Sequence, residues 1–184
     1  MTPSIKQKIE RISYDGEEMD WQALQALSGG RPDRYDTAEG LRALEVVLGE
    51  AFILEATRGV IELHPQWLLM EGILRILQSE TAVHEAYRIY RSSADAWIKA
   101  RCLGLMREIP NSVSLDHYPE FLEDPDVAVQ AVQLLEKQLW RSPALQTDPE
   151  MVALVELAER HSTAAVRQEA VVARSRLYLP DPPP

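Results

Sequence analysis

Cysteine is almost missing from this 184-residue chain. The single Cys102 excludes an intrachain disulfide and a multi-cysteine zinc site, and it fits a reducing compartment, so the cytoplasm is the expected location. Phenylalanine is also scarce, at two residues. Runs of β-branched residues are also few beside abundant Ala, Leu, Glu, Gln and Arg, a balance that favours helix over strand. No stretch of about 20 apolar residues is present to span a bilayer. The N-terminal MTPSIKQKIERISYDGEE is polar and charged, without the apolar core of a secretory signal.

Positive charge is in deficit too. Nineteen Lys and Arg stand against 29 Asp and Glu, a formal net charge of −10. That balance disfavours nucleic acid and anionic lipid as partners and leaves a basic protein surface as the compatible one. SGGRPD, at residues 28–33, is followed by no lysine and preceded by no strand, so it reads as a helix connection and not as a phosphate loop. His64, His84, His117 and His161 lack the paired spacing on one helix face that a metal needs. No catalytic, metal or cofactor-binding residue is therefore expected. What remains is 46% apolar and 26% charged residues, the composition of a folded helical protein.

The chain repeats itself. The small residues Ala43, Gly72, Cys102, Ala131 and Ala170 follow one another at intervals of 29, 30, 29 and 39 residues. Immediately after them come Leu44, Ile73, Leu103, Val132 and Val171. Four positions before them stand Glu39, Leu68, Ile98, Val127 and Val166, apolar in all but the first. Seven positions before them stand Asp36, Pro65, Asp95, Asp124 and Thr163, types that suit a helix N-cap or first turn. Positions three and four apart share a helix face, and a small residue there lets a neighbouring helix come close. Each small residue thus lies about two turns into a helix.

Other helical segments fall between, at 17–28, 50–62, 80–92, 114–122 and 149–161. Breakers separate them: GGRPD at 29–33, His64–Pro65, Ser92–Ser93, IPNS at 109–112, EDPD at 123–126 and RSP at 141–143. Gly49 either divides 37–63 into two helices or lies within one. YLPDPPP cannot continue a helix, because proline lacks a donor and restricts its predecessor, so residues 179–184 form an extended tail.

DPDVAVQAVQLLEKQL at 124–139 and TAAVRQEAVVARSRL at 163–177 carry a resemblance to the HEAT-like helical repeats, including the short kind found in bilin lyase subunits. In that pattern a capping residue opens the second helix of a pair, followed by an apolar, often a basic, and then a small residue. Thr163, Val166, Arg167 and Ala170 follow it, as do Asp95, Ile98, Lys99 and Cys102. Asp124, Val127 and Ala131 do so with Ala128 in the basic place. Glu39, Gly40, Pro65 and Leu69 depart from it, so the likeness is strongest over 65–178. The resemblance implies an all-α, right-handed α-α superhelix of about five helix pairs, a single repeat domain over 1–178.

Two features could do more than pack. Trp21, Trp67, Trp97 and Trp140, with Tyr87 and Tyr90, suit inter-repeat packing, since Trp67 and Trp97 lie in the first turn of core-facing helices; exposed, they would serve as interface anchors. From Glu108 through Glu136 the chain has seven acidic residues and no Lys or Arg. Five of them, Asp116, Glu120, Glu123, Asp124 and Asp126, surround one short helix and its turn and form the candidate partner-binding patch. The competing reading is a solvated turn whose Asp residues cap the next helix. Arg160, Arg167, Arg174 and Arg176 make the C-terminal pair comparatively basic. Cys102 occupies a column otherwise filled by Ala and Gly, so it reads as packing and not as a nucleophile.

Stacked helix pairs expose ridged faces without enclosing a cleft. The expected function is therefore a non-catalytic module that binds a basic protein partner, such as an immunity or inhibitor protein masking a cationic site. The alternatives are an adaptor or assembly factor, or, by the resemblance, a bilin-lyase-like chromophore-handling subunit.

Overall fold

The computed structural model describes residues 14–15, 18–19, 45–46, 48–65, 67–109 and 113–178. Ala43, GGRPD, the tail 179–184 and most of the helix expected at 17–28 lie outside them. Helix dominates. Among the described residues the eight α-helices are α1 Glu50–Ile61, α2 Trp67–Leu77, α3 Glu80–Ser92, α4 Ala96–Glu108, α5 Tyr118–Glu123, α6 Ala128–Arg141, α7 Pro149–Glu159 and α8 Ala164–Arg174. Short 3-10 turns occupy Leu115–His117 and Pro143–Thr147. One correction comes at the N-terminal side. Glu18 and Met19, read from sequence as helical, form strand β2 (Glu18–Met19), antiparallel to β1 (Tyr14–Asp15).

The chain divides into two compact units, residues 1–88 and 89–184. In the first, Gly49 does divide the 37–63 segment. Its φ of +86° is left-handed, its N–H closes the preceding turn on Glu45 O at 2.9 Å, and its carbonyl accepts from Phe52 N at 3.0 Å as α1 begins. α1 buries Phe52, Ile53, Ala56, Val60 and Ile61 and packs on α2. Gly59 lets α2 come close, since a Cβ there would overlap the Met70 sulfur. α1 and α2 both end on left-handed residues that are not glycine, Leu63 at φ 55° and Gln78 at φ 50°. The Ser79 hydroxyl accepts from Ala82 N at 3.1 Å, capping α3, and donates to the Glu45 carboxylate.

Glu85 is buried on α3 between two guanidinium groups. Arg88 Nε lies 2.6 Å from Oε2 and Arg58 Nε 3.0 Å from Oε1. The Arg88 hydrogen bond, helped by Arg58 and opposed by burial, holds the Glu85 carboxyl below its usual value.

In the second unit the contacts alternate. α4 packs on α6 and α6 on α8, forming one layer. α5 packs on α7, forming the other, while α5 meets α6 and α7 meets α8 between the layers. Cys102, Ala131 and Ala170, the small residues of α4, α6 and α8, are all fully buried, as are Leu103 and Val132 beside the first two. Close approach at small side chains is what this layer requires. Val171 breaks the pattern at 65% exposed, because among the described residues no helix follows α8 in its layer. The core also holds a polar bridge: Tyr118 OH donates to Gln138 Oε1 at 2.9 Å, and Gln138 Nε2 donates to Val113 O at 3.2 Å. Burial pushes the Tyr118 hydroxyl well above its usual pKa.

Candidate functional site

The acidic candidates fall on the 3-10 turn, α5 and the turn into α6, and they do not behave alike. Asp116 is exposed and receives the Ser114 hydroxyl at 3.3 Å. Glu123 is exposed and, like Asp116, makes no ion pair among the described residues. Glu120 meets Arg91, with Nε to Oε1 at 3.2 Å. Asp126 lies 3.6 Å from Lys99 Nζ.

Asp124 turns inward. Its Oδ2 accepts from Lys99 Nζ at 2.9 Å and Tyr90 OH at 3.0 Å, and its Oδ1 accepts from Asp126 N at 3.0 Å. Its side chain is 13% exposed and that of Lys99 18%. Burial alone would raise the Asp124 carboxyl; the ammonium, the amide and the phenol outweigh it and hold the group below its usual value. The same hydrogen bond, against a smaller cost of burial, raises the Lys99 ammonium. Tyr90 extends this junction into the core by an edge-on contact with Phe121, ring centroids 5.0 Å apart at 87°.

Asp124 thus joins the end of α3, the start of α4 and the turn before α6. Asp124 ends α5 as its C-cap and its carbonyl takes Ala128 N at 2.9 Å, and α6 begins at Ala128, one turn later than the sequence pattern places it. Asp95 behaves as read from sequence, its carboxylate accepting from Trp97 N and Ile98 N at the start of α4.

No family model, curated protein or solved structure matches the chain. The acid-rich run is less negative in space than along the chain, because cations remote in sequence arrive beside it: Arg91 at Glu120, Lys99 at Asp124 and Asp126, Arg141 at Glu108 and Arg176 at Glu136. A run of sequence carries no signal for partners supplied by other helices. Asp116 and Glu123 are left as the acids with no cation among the described residues.

The aromatic reading also needs correcting. Trp97, expected to pack inward, is 48% exposed, and Trp140 is 57% exposed. Cations lie beside both rings, Arg101 at 6.0 Å and Lys137 at 4.7 Å from the centroids. The histidines remain apart, and no group of three or more His, Cys, Asp or Glu among the described residues could hold a metal ion. His161 is fixed by two bonds, Nδ1 accepting from Thr163 N at 3.1 Å and Nε2 meeting Leu122 O at 3.0 Å, which ties the α7–α8 connection to α5. No helix among the described residues is long and apolar enough to cross a membrane.

Proposed function

We propose that this chain is a HEAT-like stack of helix pairs and acts as a non-catalytic protein-binding module, docking a basic partner along the edge formed by Asp116, Glu120, Glu123 and Asp126. The observation that carries the reading is the alternation of contacts in residues 89–184: α4, α6 and α8 in one layer, α5 and α7 in the other, each helix meeting the next but one. Successive pairs arranged in this way wind into a right-handed superhelix and offer continuous ridged faces to another macromolecule. Asp124, held internally, is left out of the docking set.

The acids that remain can exchange their partners at low cost. The Glu120–Arg91 pair is exposed on both sides, and such pairs contribute about 1 kcal/mol or less, so a cation of the partner competes readily. Asp116 and Glu123 need give up no ion pair among the described residues. An inhibitor or immunity protein masking a cationic site, or an adaptor holding one, would use such an edge.

The test is an affinity capture from the native source with the full chain and with Asp116→Lys/Glu123→Lys, at low and moderate salt. A partner retained by the parent, weakened by salt and lost by the variant fits the proposal. Equal capture by both proteins removes the acidic edge from it, and no protein partner at either salt removes the binding function.

A further inference from the structure

Two stripes run side by side on α4 and α6, exposed at Trp97 and Trp140 and half-buried at their other positions. On α4, Trp97, Arg101 and Gly104 recur at the i, i+4, i+7 spacing of one helix face, and on α6 Gln133, Lys137 and Trp140 do the same. The helices run in the same direction. Near their starts Lys99 reaches Asp124 and Asp126, and at their ends Arg141 Nη1 donates to Arg107 O at 2.6 Å. Arg107 Nη1 also approaches Gln133 Oε1, at 3.4 Å, across the seam. The face is open: a Cβ added at Gly104 would meet nothing within 4 Å.

In a protein of charge −10, this face is cationic. Arg101, Arg107, Lys137 and Arg141 lie along it, and the acids beside them are Glu108, paired with Arg107 and Arg141, and Glu136, paired with Arg176. We infer that the α4–α6 face docks an acidic protein segment bearing apolar side chains, Trp97 and Trp140 receiving the apolar groups and Arg101 and Lys137 the carboxylates. Each cation already lies beside its ring, so one approach engages both, and large exposed aromatics of this kind supply the strongest interface contacts. Counting the helical rise, the rings are separated by roughly 15 Å along the axis, a distance that about five extended residues cover. Nucleic acid would meet the repulsion of the whole protein, whereas a short acidic peptide meets the local field. This surface is separate from the acidic edge and does not depend on it.

The test uses the full chain and a short fluorescein-labelled peptide of alternating Asp and Leu, followed by anisotropy and by tryptophan emission. A Lys–Leu peptide and single-stranded oligothymidylate serve as comparison probes. The acidic peptide should bind saturably and change the emission. Arg101→Glu/Lys137→Glu should weaken it about tenfold or more, and Trp140→Ala, at an exposed position, should weaken it several-fold with helicity unchanged. Lys137→Glu alone gives the same direction of change should the double variant unfold. Asp116→Lys/Glu123→Lys should leave it unaltered. Absence of saturable binding at millimolar peptide, indifference to Lys137→Glu, or tighter binding of oligothymidylate or the Lys–Leu peptide overturns the inference.

Discussion

Replacing Asp124 by alanine should destabilise the second unit by about 3 kcal/mol. Three hydrogen bonds are lost, from Lys99 Nζ, Tyr90 OH and Asp126 N, at 2.9, 3.0 and 3.0 Å. Bonds involving a charged group contribute about 1.5–3 kcal/mol each, yet the sites are 13% and 18% exposed, so water recovers part of the loss. Asp124→Asn keeps an acceptor and should cost about half as much. A double-mutant cycle with Lys99→Met, which retains the aliphatic stem, should give a coupling of roughly 1–2 kcal/mol, between exposed and fully buried pairs. Urea unfolding followed by far-UV circular dichroism measures all four proteins. pH adds an independent check. The folded carboxyl is held below its usual value, so its contribution is complete above the unfolded carboxylate pKa of about 3.9 and is lost as pH falls through the lower folded value. The parent should therefore lose stability on acidification more steeply than Asp124→Asn. A cost under about 0.5 kcal/mol for Asp124→Ala, or identical acid profiles, would refute the junction.

Glycine 104 and glycine 59 should respond to alanine with opposite signs. Gly104→Ala meets open space on an α-helix and should stabilise by about 0.5–1 kcal/mol, while Gly59→Ala must displace buried Met70 and should cost a net 1–2 kcal/mol, both read as shifts in urea midpoint. Gln78→Gly relieves a left-handed non-glycine residue at the end of α2 and should raise stability by about 1 kcal/mol; no increase would mean that the Gln side chain compensates. Tyr118 is held protonated by burial, so the folded state keeps a proton that the unfolded chain releases near pH 10. Stability should fall as pH rises above that value. Tyr118→Phe should cost about 1–2 kcal/mol at neutral pH, by leaving Gln138 Oε1 without its donor, and should flatten the alkaline decline.

Much of the helical layout is legible in the sequence, because periodicity and capping are local. The segments expected at 50–62, 80–92 and 149–161 correspond to α1, α3 and α7, and Asp95 caps α4 as its spacing implies. The burial of Cys102, Ala131 and Ala170 follows from the same spacing. Non-local features escaped. The break between α2 and α3 lacks a glycine because Gln78 adopts the left-handed conformation, so no breaker stands there to be read. Asp124 looks like a local cap, and its Oδ1 does take Asp126 N, but Lys99 and Tyr90, 25 and 34 residues away, claim its Oδ2. Trp97 follows the core-facing column in sequence but lies on the outer side of α4, since a first-turn residue five positions before Cys102 is turned away from the seam. The acidic run carries its charge in sequence and meets its counterions only in three dimensions.

Among the described residues α8 is the outermost helix of its layer, and this sets where the second unit opens. Among the described residues α6 has a layer neighbour on each side, α4 and α8, whereas α8 has α6 alone, and its Val171 and Val172 face solvent. When cohesion is summed from nearest neighbours, the end element detaches first and the middle one last. Amide protons of α8 should therefore exchange with deuterium through brief fraying of that helix, while those of α6 wait for the whole unit to unfold.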